Sequence, residues 1–102
     1  MKYVDKIAYT FSAKIWQHNS SSGWFFVSLP AGISEEIRAN LRWQEEGWGR
    51  MKATARINDH SWNTSIWYDK KEGAYLLPIK QEVRRINLLK QSDLVDVAIY
   101  VQ

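Results

Sequence analysis

At 102 residues and 12.0 kDa the chain has the length of one domain, because two cores of half this size would each sit near the lower limit for unaided folding. Hydrophobic residues at 45% and charged residues at 25% exclude a disordered or collagen-like chain, and the absence of cysteine excludes a disulfide framework, a thiolate metal site and a cysteine nucleophile. The net charge of +3 is only mildly basic, thin for a partner held mainly through released counterions.

The stretch from Met1 to Ile7 carries charges where a signal peptide needs an apolar run, and no segment approaches the roughly 18 apolar residues that span a bilayer. With no cysteine to oxidise, the expected location is the cytoplasm. Six Trp, five Tyr and three Phe are a heavy aromatic load; each buried ring removes about 150–250 Å² from water, which helps a small core reach stability.

From Ala8 to Trp16, Tyr9, Phe11, Ala13 and Ile15 alternate with Thr10, Ser12 and Lys14, the period of a half-buried strand. His18 to Gly23 is a polar turn, and Trp24 to Leu29 is dense in aromatic and β-branched residues, so the two runs read as a hairpin. Pro30 and Gly32 end that strand. Ser34 is then the expected cap of a helix reaching Arg42, with Glu35 and Glu36 near its start, Arg38 and Arg42 toward its end, and Ile33, Ile37 and Leu41 along one side.

Gly47-Trp48-Gly49 breaks the chain again. Met51, Ala53, Ala55 and Ile57 alternate with Lys52, Thr54, Arg56 and Asn58, and the turn Asn58-Asp59-His60 leads into a strand from Ser61 to Tyr68, a second hairpin. Asp69 to Gly73 turns the chain, Tyr75 to Pro78 is a short strand, Gln81 to Leu89 reads as a helix with Val83, Ile86 and Leu89 inward, and Val95 to Val101 is the last strand. The chain is thus mainly β, with about six strands, two short helices and no linker or second domain.

Val27-Ser28-Leu29-Pro30, a helix and an alternating strand recur as Tyr75-Leu76-Leu77-Pro78, a helix and a strand; Pro30 and Pro78 are 48 residues apart. Glu36-Ile37-Arg38 answers Glu82-Val83-Arg84, with two extra residues in the first copy. Either two Leu-Pro dipeptides coincide by chance, or duplicated strand–helix–strand units close one barrel about a pseudo-two-fold axis.

The segments Phe11 to Trp16, Gly23 to Pro30, Trp62 to Trp67, Gly73 to Lys80 and Val83-Arg84-Arg85 resemble, in order and spacing, the mainly bacterial family called domain of unknown function 1905, over about Tyr9 to Val101. One departure is Ser92-Asp93, where the family usually shows Gly-Asp before the last strand, the residue best suited to a tight turn. The resemblance implies a small closed or double-split β-barrel, akin to the AbrB and MazE swapped-hairpin group, whose half-units come from two chains and together bind DNA. Here one chain is expected to carry both. Family members are often followed by a domain related to bacteriocin-protection proteins, which is not expected in this chain, and no catalytic residues carry over.

Residue chemistry narrows the choice further. His18 and His60 stand apart in expected turns without clustered carboxylates, so neither a metal nor another cofactor is expected. Asp59-His60-Ser61 holds the letters of a triad, but neighbours in one turn cannot make nucleophile–base–orienter geometry. Glu35-Glu36 and Glu45-Glu46 are adjacent pairs rather than opposed acid and base, and Gly47-Trp48-Gly49 is no phosphate loop.

Two features stand above this floor. Trp62, Thr64 and Ile66 share one face of a strand while Asn63, Ser65 and Trp67 share the other, and hydroxyls beside tryptophans suit a small pocket as well as an ordinary strand. Between Lys70 and Lys90 six basic residues face two acidic ones; Lys80 and Arg84, at the start of the second helix, can bind an anion or simply be solvated. The expected function is a non-catalytic binding module for a small anionic ligand or a protein partner, using Trp62, Thr64, Ser65, Trp67, Lys80 and Arg84, as a monomer or weak homodimer. The alternative is nucleic-acid binding through Lys80, Arg84 and Arg85, with Lys52 and Arg56 as a further basic face.

Overall fold

The computed structural model describes residues 7–17, 23–47 and 49–101. The expected turn at residues 18–22, with His18, and Trp48 lie outside them. The alternation read from the sequence becomes seven strands: β1 (Ile7–Lys14), β2 (Trp16–Gln17), β3 (Phe25–Ser28), β4 (Arg50–Ile57), β5 (His60–Asp69), β6 (Ala74–Pro78) and β7 (Leu94–Val101). Helix α1 (Ala31–Leu41), followed by a 3-10 turn at Arg42–Gln44, joins β3 to β4, and α2 (Gln81–Ile86) joins β6 to β7. Inward residues such as Met51, Ala53, Ala55 and Ile57 of β4 are buried, while Lys52 and Arg56 between them are exposed.

All pairings are antiparallel, in the order β1-β7-β4-β5-β6-β3-β2. The sheet curls into a half-barrel. Only Ile15 separates β1 from β2, so one stretch of chain supplies both edges: residues 7–14 pair with β7, and Trp16–Gln17 pair with β3. At the break the Ile15 N–H donates to the Asp93 carbonyl at 2.9 Å and the Ser92 N–H donates to the Ile15 carbonyl at 2.7 Å. Counted as one interrupted strand, β1 and β2 make the barrel six-stranded and split at that point.

The registers settle the echo as a duplication. Ser28 faces Leu76 in the β3–β6 ladder, and these are 48 residues apart, the spacing of Pro30 and Pro78. β4 and β7 share nearly the same buried–exposed alternation at a spacing of 44, and in their ladder Ala55 faces its own counterpart Ile99. β1 meets β7 as β5 meets β4, Lys14 facing Leu94 as Trp67 faces Arg50, and Trp16 facing Phe26 answers Asp69 facing Ala74. A two-fold axis through both self-facing pairs produces this pattern. The halves are therefore β1-β2-β3-α1-β4 and β5-β6-α2-β7. The first carries four more residues between its proline and its last strand: the two expected ahead of Glu36, and two more before β4, where its helix runs on into the 3-10 turn.

Three local expectations are corrected. Ser34 is not the cap of α1: the helix begins at Ala31, with Pro30 (φ −55°) at its head and the Ser34 N–H already donating to the Pro30 carbonyl at 2.9 Å. Helix α2 stops at Ile86, short of Leu89, because Leu88 turns left-handed (φ 55°) and the Leu89 N–H closes back onto the Arg84 carbonyl at 2.8 Å. Ile86 is accordingly half exposed rather than inward. His60 belongs to β5, facing Ile57, so the β4–β5 turn is Asn58-Asp59 alone.

The tight turn before β7 forms despite its serine. Ser92 takes a φ of 76°, a conformation glycine adopts at no steric cost, and Asp93 accepts the Lys90 N–H at 2.9 Å to hold it.

Candidate functional site

The strand pleat divides the four β5 residues singled out in the sequence. Trp62 and Ile66 face the barrel interior and are buried, with the His60 ring 5.7 Å from that of Trp62. Thr64, on the same side, is half-buried and donates to the Ser65 carbonyl at 3.5 Å. Ser65 and Trp67 face outward. Trp67 joins Phe26 at 5.6 Å and Trp24 at 6.5 Å between ring centres, and Trp16 lies 5.2 Å from Phe26 and donates its indole N–H to Ser28 Oγ at 3.0 Å. These rings make an aromatic outer face over β2, β3, β5 and β6.

Lys80 and Arg84 do come together, in a hollow of about 270 Å³ at the end of the barrel, lined also by Trp24, Phe25, Pro78 and Ile79. Its partners are thus Trp24 and Phe25 rather than Trp62, Thr64 or Ser65. Alternation along β3 puts Val27 inward, hence Phe25 inward as well, at the barrel mouth where α2 begins. The Phe25 carbonyl accepts the Ile79 N–H at 2.8 Å, which fixes the start of α2 against β3.

Arg84 lies over the Phe25 ring, its guanidinium carbon 3.9 Å from the ring centre, and its Nε–H donates to the Ile79 carbonyl at 3.2 Å. Among the described residues no carboxylate pairs with it. The remaining guanidinium N–H groups can take a carboxylate or phosphate in two parallel bonds. Lys80 adds a second positive charge at the rim, and Trp24, 52% exposed, supplies an apolar wall. Arg85 is exposed and is not among the lining residues; Arg56 is held by the Asn58 carbonyl at 3.0 Å and by Asp59 at 3.5 Å.

A second polar cluster, not foreseen from the sequence, packs under α1. Tyr75 is fully buried and its hydroxyl donates to Glu45 Oε2. The same oxygen accepts from Arg38 at 3.3 Å, and the Arg38 guanidinium lies 4.0 Å over the Tyr68 ring, which in turn meets Tyr75 at 5.3 Å. Burial first, and then the hydrogen bond and negative charge of Glu45, push the Tyr75 phenol well above its ordinary value, with Arg38 opposing. Four residues from four segments meet here, and none sits at a spacing that marks it in the sequence. The available signal was the duplication: Arg38 and Arg84 occupy matching places in the two halves, and each lies over an aromatic ring.

A search of curated proteins found no match to the chain. The family model described as domain of unknown function (DUF1905) matches residues 11–99, nearly the whole barrel and both arginine-bearing helices, and the chain belongs to that family.

Proposed function

We propose that the domain is a cytoplasmic, non-catalytic binding module that takes a small ligand with an anionic head and a flat apolar body in the hollow between β3 and α2. The observation that carries this reading is Arg84, held in place by the Phe25 ring and the Ile79 carbonyl instead of by an acidic side chain. Preorganised in this way, the guanidinium loses little further freedom when a carboxylate arrives. Trp24 and Phe25 offer the apolar surface, and Lys80 offers a second cation.

Titration of the protein with benzoate, followed by amide chemical shifts, tests the proposal. Saturable changes gathered at Gly23–Phe25 and Ile79–Arg84, and lost in Arg84→Ala, are expected; benzyl alcohol, which lacks the charge, should bind far more weakly. Diffuse shifts, or equal binding by the alcohol, would refute it. Tight binding of a defined duplex DNA, lost on changing Lys80, Arg84 or Arg85, would favour the nucleic-acid alternative instead.

A further inference from the structure

The two halves of the barrel provide an internal control for the cluster under α1. The counterpart of Tyr68 is Ile15, since the Tyr68 N–H donates to the Gly49 carbonyl at 3.2 Å just as the Ile15 N–H donates to that of Asp93. The counterpart of Tyr75 is Val27, the residue before the self-facing Ser28. Ile15 and Val27 are ordinary buried core. The fold therefore fills these two positions with aliphatic side chains in one half and with phenols in the other, where Glu45 joins them beside Arg38, the counterpart of Arg84. Burying such groups brings a desolvation cost that packing alone does not demand.

Beside this cluster lies a hollow of about 200 Å³ lined by Arg38, Arg42, Glu45, Gly49, Tyr68 and Lys70. Glu45 is occupied by Tyr75 and Arg38, whereas the side chains of Arg42 and Lys70 have no hydrogen-bond or ion-pair partner among the described residues. Three cations against one carboxylate leave two positive charges, which match a dianion. Gly49 keeps the wall low: with φ 76°, a Cβ there would lie 3.4 Å from Tyr68 Cβ and 3.7 Å from Glu45 Oε1. The position matching Arg42, two residues past the end of α2, is Leu88, 87% exposed, so the second half lacks this charge pattern.

We infer that the hollow between α1 and the end of β5 is a binding site for a dianionic phosphate group, with Arg42 and Lys70 as its direct ligands and Arg38 held ready by Glu45 and Tyr68. This site is distinct from the Arg84 hollow and stands or falls independently of it.

The test is an amide chemical-shift titration of the protein with inorganic phosphate and with ribose 5-phosphate, against chloride at matched ionic strength. Both phosphates should give saturable shifts at Arg38–Glu45 and Tyr68–Lys70. Arg42→Ala and Lys70→Ala, both exposed and thus folded, should each weaken binding about tenfold, the loss of one charge-assisted hydrogen bond. Lys80→Ala should leave it unchanged. Tighter binding of ribose 5-phosphate would identify a phosphate ester as the ligand, and equal binding the phosphate ion itself. Shifts no different from those with chloride, or an equal loss in Lys80→Ala, would overturn the inference.

Discussion

Ser28 stands directly opposite Leu76, its own counterpart in the other half of the barrel, and Ala55 stands opposite Ile99 in the same way. Because the axis runs through these pairs, residues outside the first half's insertion have counterparts that share a backbone role but not the chemistry. A difference between counterparts is then a difference the fold did not require. Ser34 is the first example: it lies one turn into α1, is 1% exposed, and has Lys80, exposed at the head of α2, as its counterpart at the spacing of Ile37 and Val83.

Ser34 does structural work that its counterpart does not. Its hydroxyl accepts the Tyr75 backbone N–H at 3.0 Å and donates to the Leu29 carbonyl at 3.4 Å, tying α1 to β3 and β6. Ser34→Ala strands the Tyr75 N–H in the core, which should cost about 1–3 kcal/mol. Urea unfolding should show the midpoint falling with an unchanged slope. A loss below about 0.5 kcal/mol would mean that the N–H finds another acceptor.

Alkaline pH should destabilise the protein through Tyr75. In the unfolded chain its phenol ionises near 10, whereas burial and Glu45 keep the proton on in the folded state to higher pH. The folded state then binds more protons than the unfolded one, so this contribution is complete below pH of about 10 and is lost as pH rises beyond it. Tyr75→Phe should flatten most of that decline, leaving the smaller part due to Tyr9, whose phenol is also raised, by burial and by the charge of Glu36. Unfolding free energies measured across this range would show equal slopes in both proteins if Tyr75 were not responsible.

Much of this architecture is legible in the sequence because it depends on local period and on one repeated dipeptide. The alternation of Met51, Ala53, Ala55 and Ile57 needs nothing beyond the strand pleat, and Leu29-Pro30 and Leu77-Pro78 mark matching strand ends whatever surrounds them. Ser34 was misread because a serine ahead of two glutamates has the local form of a helix cap, while the groups that claim its hydroxyl come from β3 and β6. Trp62 and Trp67 illustrate the same limit. Period 2 separates their faces, but only closure of the sheet decides which face is core, and it placed Trp62 inside and Trp67 among Trp24 and Phe26 outside. The site at Arg84 was half legible: Lys80 and Arg84 are neighbours on one helix, whereas Trp24 and Phe25 reach them through pairing between β3 and β6.

Backbone strain gives predictions of opposite sign at neighbouring turns. Leu88 and Ser92 sit in the left-handed region at φ of 55° and 76°, and Leu88 makes no use of its side chain in the core. Replacing either with glycine removes a steric cost of about 1–2 kcal/mol and adds about 0.5–1 kcal/mol of chain entropy. Each variant should be more stable by roughly 0.5–1 kcal/mol, a difference of the two. Gly49→Ala should do the reverse, losing roughly 0.5–1 kcal/mol, since its φ of 76° admits no Cβ without strain and the reduced chain entropy offsets only part of it. Thermal melts of the three variants check all of these, and a stabilised Gly49→Ala would contradict the geometry.

Arg84→Lys separates charge from shape at the candidate ligand site. Lysine keeps the positive charge, but it has no planar face for Phe25 and no Nε–H for the Ile79 carbonyl, so the cation would swing free instead of resting 3.9 Å over the ring. If preorganisation is what makes the site, Arg84→Lys should bind benzoate nearly as poorly as Arg84→Ala, with both about tenfold or more below the unchanged protein. Lys80→Ala should behave differently: an exposed rim charge contributes through a screened field, so its smaller effect should fade as salt is raised. The measurement is a benzoate titration of the three variants at low and high ionic strength. Full rescue by lysine would show that any cation at this position suffices, and would remove the stacked guanidinium from the account of binding.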